Sequence, residues 1–216
     1  MKTVYLLLTC SATIFSRCIR ILTASPYTHV AVSVAEDPAD CYYSFGRKNP
    51  LFPFPAGFIR ESREKGYLRR FPHTRCLLLA LEVSDMAYSS ICTRLWKMEA
   101  SARYYHYNLA GALLCGFGIQ WIRRRHYFCS QFIGDLLTRS GAVSLPKPFS
   151  LMQPIDYAFL PGVHVLYSGS AGELFGNTDK YIALESPAFP MESPAFPMEN
   201  RQIFYTGCNP FRSMVY

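Results

Sequence analysis

One cysteine lies where a helix is expected to begin. Cys129 directly precedes residues 130–137, whose apolar positions recur at helical spacing, and Gly141 supplies a stop after that pattern. Unpaired backbone N–H groups and the positive end of the helix dipole favour a thiolate at such a position. A cysteine placed in this way is a candidate nucleophile, provided that the fold supplies a base.

A histidine opens a strand-like run at residues 29–34. Valines alternate in this run with His29, Ala31 and Ser33, so the histidine shares one face of the predicted strand with small residues. Small neighbours leave room for another group to approach the imidazole. We therefore predict that His29 is the base that acts on the cysteine.

A second strand is expected at residues 41–45, after a break that is rich in turn formers. If the two strands form a hairpin, Ser44 lies near Ala31 and diagonal to His29. From there its hydroxyl can orient the imidazole or accept its second N–H. The predicted catalytic group is Cys129 and His29, with Ser44 as third member.

Two segments about 100 residues apart resemble a known family. Residues 28–32 read Thr-His-Val-Ala-Val, and residues 128–133 read Phe-Cys-Ser-Gln-Phe-Ile. Together they resemble the circularly permuted NlpC-like branch of the papain-fold superfamily, in which the histidine strand precedes the cysteine helix. Residues 42–58 and 107–111 resemble one bacterial group of that branch. The resemblance spans roughly residues 3–168.

The resemblance implies an α+β fold, a permuted papain-like arrangement in which a small antiparallel sheet packs against helices. It implies thiol hydrolysis of amide bonds in cell-wall peptides or, as in relatives such as lecithin retinol acyltransferase, acyl transfer on lipids. Tyr107 stands where the family has a tyrosine, whose hydroxyl would join the Cys129 N–H in an oxyanion site.

The third catalytic position departs from the family, which often has histidine, asparagine, glutamine or glutamate there. Ser44 is a weaker orienting group because a hydroxyl carries no charge against an imidazolium. Glu61 is the alternative third residue, and His126 is a rival base that ranks behind His29.

Three functions remain open at this stage. The first is a cysteine hydrolase of peptide or peptidoglycan-type amides, and the second is a hydrolase or transferase of lipid acyl esters. The third is a binding module that kept the fold and lost efficient chemistry, which the serine at position 44 would suit.

The amino-acid composition limits the class of protein to which this chain can belong. Half of the 216 residues are apolar and 17% are charged, which is typical of a globular chain. We expect a catalytic domain at residues 1–169 and an extension at residues 170–216, in which Glu-Ser-Pro-Ala-Phe-Pro-Met occurs twice in tandem at 185–198.

The chain is basic, with a net charge of +7. No nucleic-acid motif accompanies this charge, so we predict no nucleic-acid partner; Arg123, Arg124 and Arg125 are candidates for contact with an anionic surface.

Eight cysteines occur without a Cys-x-x-Cys pair or a ligand-like cluster, so we expect no metal, no cofactor and reduced thiols in a cytoplasmic protein. The apolar run at residues 4–8 is too short to span a membrane and lacks a convincing cleavage site. It is expected to form a strand over residues 3–9, and the chain is expected to have no integral membrane span.

Overall fold

The alternating and apolar runs of the sequence form one eight-stranded sheet. The computed structural model describes residues 1–10, 25–38, 40–49, 55–62 and 71–176. The strands are β1 (Lys2–Thr9), β2 (His29–Ser33), β3 (Cys41–Arg47), β4 (Ala56–Ser62), β5 (Arg75–Val83), β6 (His106–Tyr107), β7 (His126–Tyr127) and β8 (Val163–Ser170). Their order across the sheet is β7-β6-β4-β3-β2-β1-β5-β8. Neighbouring strands are antiparallel except β6 and β7, which run parallel.

Helices accompany the sheet, so the predicted α+β class is confirmed. In the described part of the chain the α-helices are α1 (Asp85–Ala100), α2 (Leu109–Gly116), α3 (Cys129–Ser140) and α4 (Ala171–Gly176). Short 3-10 helices cover Ala102–Tyr104, Phe149–Leu151 and Pro154–Phe159. The sheet is larger than the small antiparallel sheet that the resemblance implied, because β4 and two two-residue strands extend one edge. None of the described helices has the length and apolar character needed to cross a bilayer.

The two faces of the sheet bury different partners. On one face, even-numbered residues of β1 and β2, such as Leu6 and Val30, pack with α1 and α3 in the main core. On the other face, Leu7 and Ala31 pack with Leu174 of α4 in a smaller core. This explains why β1 reads as a continuous apolar run, since it is buried on both sides.

The helix that carries the candidate nucleophile has the predicted bounds. It begins at Cys129 and ends at Ser140, and Gly141 closes it in the left-handed conformation, with φ of 70°. Phe132, Ile133 and Leu136 are fully buried against the sheet. This burial fixes the helix axis and therefore the position of its first turn.

The apolar pattern of residues 107–114 predicts a helix there, and α2 begins two residues later, at Leu109. Asn108 is its N-cap, because the side-chain oxygen accepts a hydrogen bond from the N–H of Gly111 at 3.1 Å. Tyr107 therefore lies before the helix, in β6, where it pairs with Tyr127 of β7.

The domain boundary expected at residue 169 falls within β8. The next helix, α4, is held to the sheet by hydrogen bonds from Ala171 N to Thr74 O (2.8 Å) and from Gly172 N to Pro72 O (2.7 Å). Residues 11–22 are predicted to form a helix, with Ser11 or Thr13 as its cap. That segment and the tandem repeat at residues 185–198 lie outside the described residues.

Candidate active site

The first turn of α3 concentrates backbone N–H groups on the Cys129 thiol. The N-cap residue is Phe128, which has no side-chain oxygen to accept these N–H groups, and the first turn contains no acidic residue. The sulfur instead interacts with the backbone N–H groups of Cys129 and Ser130, which lower its pKa. The helix start thus offers its donors to the thiol and to any negative charge that develops beside it.

Burial nevertheless outweighs the helix effect on Cys129. The residue is only 5% exposed. Loss of hydration raises the pKa of the thiol to about 11, although three backbone hydrogen bonds oppose this rise. At neutral pH the thiol therefore carries its proton, and the helix start does not by itself produce a thiolate.

The third donor to the sulfur belongs to β2. A backbone hydrogen bond from Val30 lowers the pKa of Cys129, as an N–H that stabilises the thiolate does. The carbonyl of the same residue accepts the Ser44 hydroxyl at 2.7 Å. In an antiparallel sheet, the N–H and C=O of one residue point toward the same neighbouring strand. Because the Val30 carbonyl bonds to Ser44, both groups of Val30 point toward β3.

These contacts mark a gap between β2 and β3. Backbone pairing of the two strands is present at Val32 and Tyr43. The same register would place Val30 opposite Phe45 and His29 opposite Gly46. There the Ser44 hydroxyl bonds to the Val30 carbonyl. Cys129 packs with Val30, the residue that follows the predicted base in β2.

The imidazole of His29 borders the same gap. Its Cε1 atom lies 3.6 Å from the position that a Cβ would take on Gly46. Strand alternation directs this ring to the face of Ala31, whereas Val30 packs with Cys129 on the other face. The ring and the thiol therefore lie on opposite faces of the sheet, and neither group contributes to the pKa shift of the other.

His29 is neutral at physiological pH. The residue is partly buried, and the resulting desolvation lowers the pKa of its imidazole to about 4. The positive charge of Arg47 contributes further to the lowering. A neutral imidazole can accept a proton, as a general base requires.

A row of glycines continues from His29 across the sheet. Gly46 pairs with Gly57, and Gly57 pairs with His106. A Cβ on Gly57 would clash with the Tyr105 carbonyl oxygen, so this position admits no side chain without a backbone shift. The space over the row is taken by side chains from neighbouring positions: Ile59 Cδ1 lies 2.9 Å from the Cβ position of Gly46, and Lys48 Cε lies 3.3 Å from that of Gly57.

Ser44 and Glu61 differ in their distance from His29. Ser44 uses its single proton on the Val30 carbonyl, so toward the imidazole it can act only as an acceptor. Gly57 lies in the same row across the sheet as Gly46 and His29. Glu61 is four residues farther along β4, so it lies about 13 Å from that row. This spacing favours Ser44 over Glu61 as the group that orients the ring.

Tyr107 lies on the Cys129 side of the sheet. Burial raises its pKa well above the ordinary value, and the nearby Cys129 raises it further. The hydroxyl therefore stays protonated and can donate a hydrogen bond to negative charge formed near the sulfur.

The rival base, His126, is engaged elsewhere. Its Nδ1 lies 2.8 Å from the Arg124 carbonyl oxygen, and its ring centroid lies 5.2 Å from that of His106. It belongs to β7 at the edge of the sheet, where His106 is its paired residue.

A buried carboxylate fixes the axial position of α3. Asp135 accepts hydrogen bonds from Arg94 of α1 at 2.6 Å, from Arg139 at 2.7 Å and from the Tyr127 hydroxyl at 3.1 Å. These contacts tie the cysteine helix to α1 and to β7.

A second network holds the helix start. The side-chain oxygen of Gln131 accepts the Phe128 N–H at 3.4 Å and the Asn108 amide at 3.2 Å. Asn108 also donates to the Trp121 carbonyl at 3.0 Å. The first turn of α3 is therefore joined to the loop at residues 117–125.

Sequence reasoning missed Val30 and the glycine row. No side-chain type marks Val30, because its contribution is a backbone carbonyl that accepts the Ser44 hydroxyl. Gly46 and Gly57 are visible in the sequence, but only the register shows that they lie side by side next to His29.

Within the described residues no group of three His, Cys, Asp or Glu side chains could hold a metal ion. Comparison of the chain with protein-family models gave no match, and no curated protein matches it. The NlpC-like resemblance therefore supports a proposal about function and does not establish the family.

Proposed function

We propose that this protein is a thiol hydrolase of amide bonds, with Cys129 as nucleophile, His29 as general base and Ser44 as orienting residue. The observation that carries the proposal is the packing of Cys129, at the start of α3, with Val30 of β2 in the main core. Val30 directly follows His29 in that strand, and its carbonyl accepts the Ser44 hydroxyl at 2.7 Å. The permuted papain-like fold belongs to the same proposal.

The resting pair in this mechanism is neutral. The pKa of the thiol is raised to about 11 and that of His29 is lowered to about 4, so an ion pair is unfavourable before substrate binds. Proton transfer to His29 accompanies attack of the sulfur on the substrate carbonyl. Negative charge that develops in the attack raises the proton affinity of the imidazole.

Attack forms a tetrahedral intermediate with an oxyanion. The N–H groups at the start of α3 and the protonated Tyr107 hydroxyl are the donors proposed to stabilise it. His29 returns the proton to the leaving amine as the C–N bond breaks, leaving a thioester on Cys129. Water, with its proton taken by His29, then hydrolyses the thioester.

Peptide or peptidoglycan-type fragments are the proposed substrate class, by resemblance to the family. A second candidate is hydrolysis or transfer of lipid acyl esters. This second candidate is supported by the hydrogen bonds of Asn108, which join the cysteine helix to a loop of exposed apolar and basic residues. A neutral thiol and a neutral imidazole are also compatible with a binding module that has little catalytic activity. A turnover assay distinguishes such a module from an enzyme.

The test is a panel of wall-derived peptides and phospholipid esters, assayed for released amine or fatty acid. Cys129→Ala should abolish turnover. Cys115→Ala is the matched control, because Cys115 is also buried and also has a pKa of about 11, yet it lies at the C-terminal end of α2. Intact-mass spectrometry should detect an acyl adduct that maps to Cys129.

Release of amine from peptides alone supports the amidase, and release of fatty acid alone supports the lipid enzyme. Absence of both turnover and adduct across the panel, or equal loss in the two cysteine variants, would refute the catalytic role of Cys129.

A further inference from the structure

A loop beside the cysteine helix exposes large apolar side chains. Residues 117–122, here called the apolar loop, include Phe117 (63% exposed), Ile119 (51%), Trp121 (46%) and Ile122 (58%). Side chains of this size exposed together are unusual on the surface of a soluble domain and mark an interaction surface.

The backbone of the apolar loop is held in place. Phe117 N and Ile119 N donate to Leu114 O, at 3.0 and 2.9 Å, and Gly118 N donates to Cys115 O at 3.0 Å. The Trp121 carbonyl accepts hydrogen bonds from Asn108 and from Gln131. With these polar groups satisfied, transfer of the loop into an apolar interface costs less free energy.

Positive charge follows the apolar loop directly. Residues 123–125, here called the arginine triplet, are all exposed. The 35 residues from 100 to 134 contain four arginines and no aspartate or glutamate. The guanidinium of Arg125 lies 5.5 Å from the Tyr104 ring centroid, so one cation of the triplet has a fixed direction.

Apolar and aromatic tips bordered by arginines match the interface of an anionic bilayer. The apolar side chains enter the boundary between headgroups and acyl chains, tryptophan favours the headgroup level, and arginines bind anionic headgroups. A protein partner of ordinary composition would not require acidic residues to be missing over 35 positions, whereas an anionic membrane disfavours them.

We propose that the apolar loop and the arginine triplet dock this protein onto a lipid bilayer that carries anionic headgroups. The network through Asn108 and Gln131 then sets the start of α3 at a fixed distance from the bilayer. This goes beyond the proposed chemistry and does not depend on it, so Cys129→Ala should bind vesicles as the unaltered protein does.

The two tryptophans of the chain allow a direct test. Trp96→Phe leaves Trp121 as the reporter in the apolar loop, and Trp121→Phe leaves Trp96, which is 70% exposed on α1. Vesicles of phosphatidylcholine mixed with phosphatidylglycerol should shift the emission of the Trp96→Phe protein to shorter wavelength. The Trp121→Phe protein should bind the same vesicles with no shift.

Co-sedimentation with vesicles measures the two contributions. Phe117→Ser or Ile122→Ser should weaken binding about tenfold, while Trp96→Ser, a matched change on α1, should have no effect. The double variant Arg123→Gln/Arg124→Gln should weaken binding about thirtyfold, and added salt should act in the same direction. Circular dichroism checks that each exposed substitution leaves the fold intact.

Several outcomes would overturn the inference. One is equal binding to vesicles of pure phosphatidylcholine, and another is unchanged binding by the loop variants. Emission of Trp121 that is already at short wavelength without vesicles would mean that another part of the chain covers the loop. A dimer in light scattering that the loop variants dissociate would assign the surface to a second copy.

Discussion

The Ser44 hydroxyl of β3 donates a hydrogen bond of 2.7 Å to the Val30 carbonyl of β2. Val30 also packs in the main core with Cys129, so this residue of β2 joins β3 to the core that holds the cysteine helix.

Alkylation of Cys129 should be slow at neutral pH. Its thiol has a pKa of about 11 because it is buried, and iodoacetamide reacts with the thiolate. We expect its rate, measured per cysteine by peptide mass spectrometry, to rise with pH until about pH 11. Cys115, with a similar pKa, should show a parallel profile. Faster alkylation of Cys129 at pH 7 in the folded protein than in urea would contradict this prediction.

Activity should fall as the pH drops through about 4. Below that pH His29 is protonated in the folded protein and can no longer accept the thiol proton. The measurement is the pH profile of kcat/KM for whichever substrate the panel identifies. If activity instead falls near pH 6.5, which is about the pKa of an unperturbed histidine, the imidazole of His29 is not desolvated in solution.

The same histidine should make the fold less stable in acid. Its folded pKa is below its unfolded value, so the unfolded chain takes up a proton first as the pH falls. Stability is then lost between about pH 6.5 and pH 4, by at most about 1.4 kcal/mol per pH unit. His29→Gln should remove this part of the pH dependence in urea unfolding. An identical slope in both proteins would refute the assignment.

Tyr107→Phe should lower kcat by about a hundredfold and leave KM nearly unchanged, because the hydroxyl is proposed to bind only the oxyanion. Tyr127→Phe is the control. It removes a hydroxyl that bonds to Asp135, so it should lower stability and leave kcat unchanged. Equal kcat for Tyr107→Phe and the unaltered protein would exclude Tyr107 from the oxyanion site.

The two paired glycines should respond differently to alanine. In Gly57→Ala the new Cβ would clash with the Tyr105 carbonyl oxygen, so the backbone must move, at a cost of about 1–3 kcal/mol. In Gly46→Ala the nearest atom is the flexible end of Ile59 at 2.9 Å, and the His29 ring follows at 3.6 Å.

Gly46→Ala should therefore be the more stable variant in urea unfolding and should still lose activity, because the methyl group fills space beside the imidazole. A larger stability loss for Gly46→Ala than for Gly57→Ala would contradict this register.

Much of the local structure could be predicted from the sequence. The helix from Cys129 to Ser140 and the strand that starts at His29 have their predicted starting residues. Both depend on periodicity and end signals that act over a few neighbouring positions. The start of α2 was misplaced because the sequence pattern did not reveal that Asn108 caps Gly111.

The candidate site also has some features that the sequence predicts and others that only the tertiary structure reveals. The sequence by itself determined which residue types could do chemistry and that a cysteine would stand at a helix start, because both follow from short-range order. Only the tertiary structure decided that the sheet opens at Val30, that Gly46 and Gly57 lie beside His29, and that the Cys129 thiol keeps its proton. Strand register and desolvation depend on atoms contributed by segments far apart in the chain, and no local pattern encodes their sum.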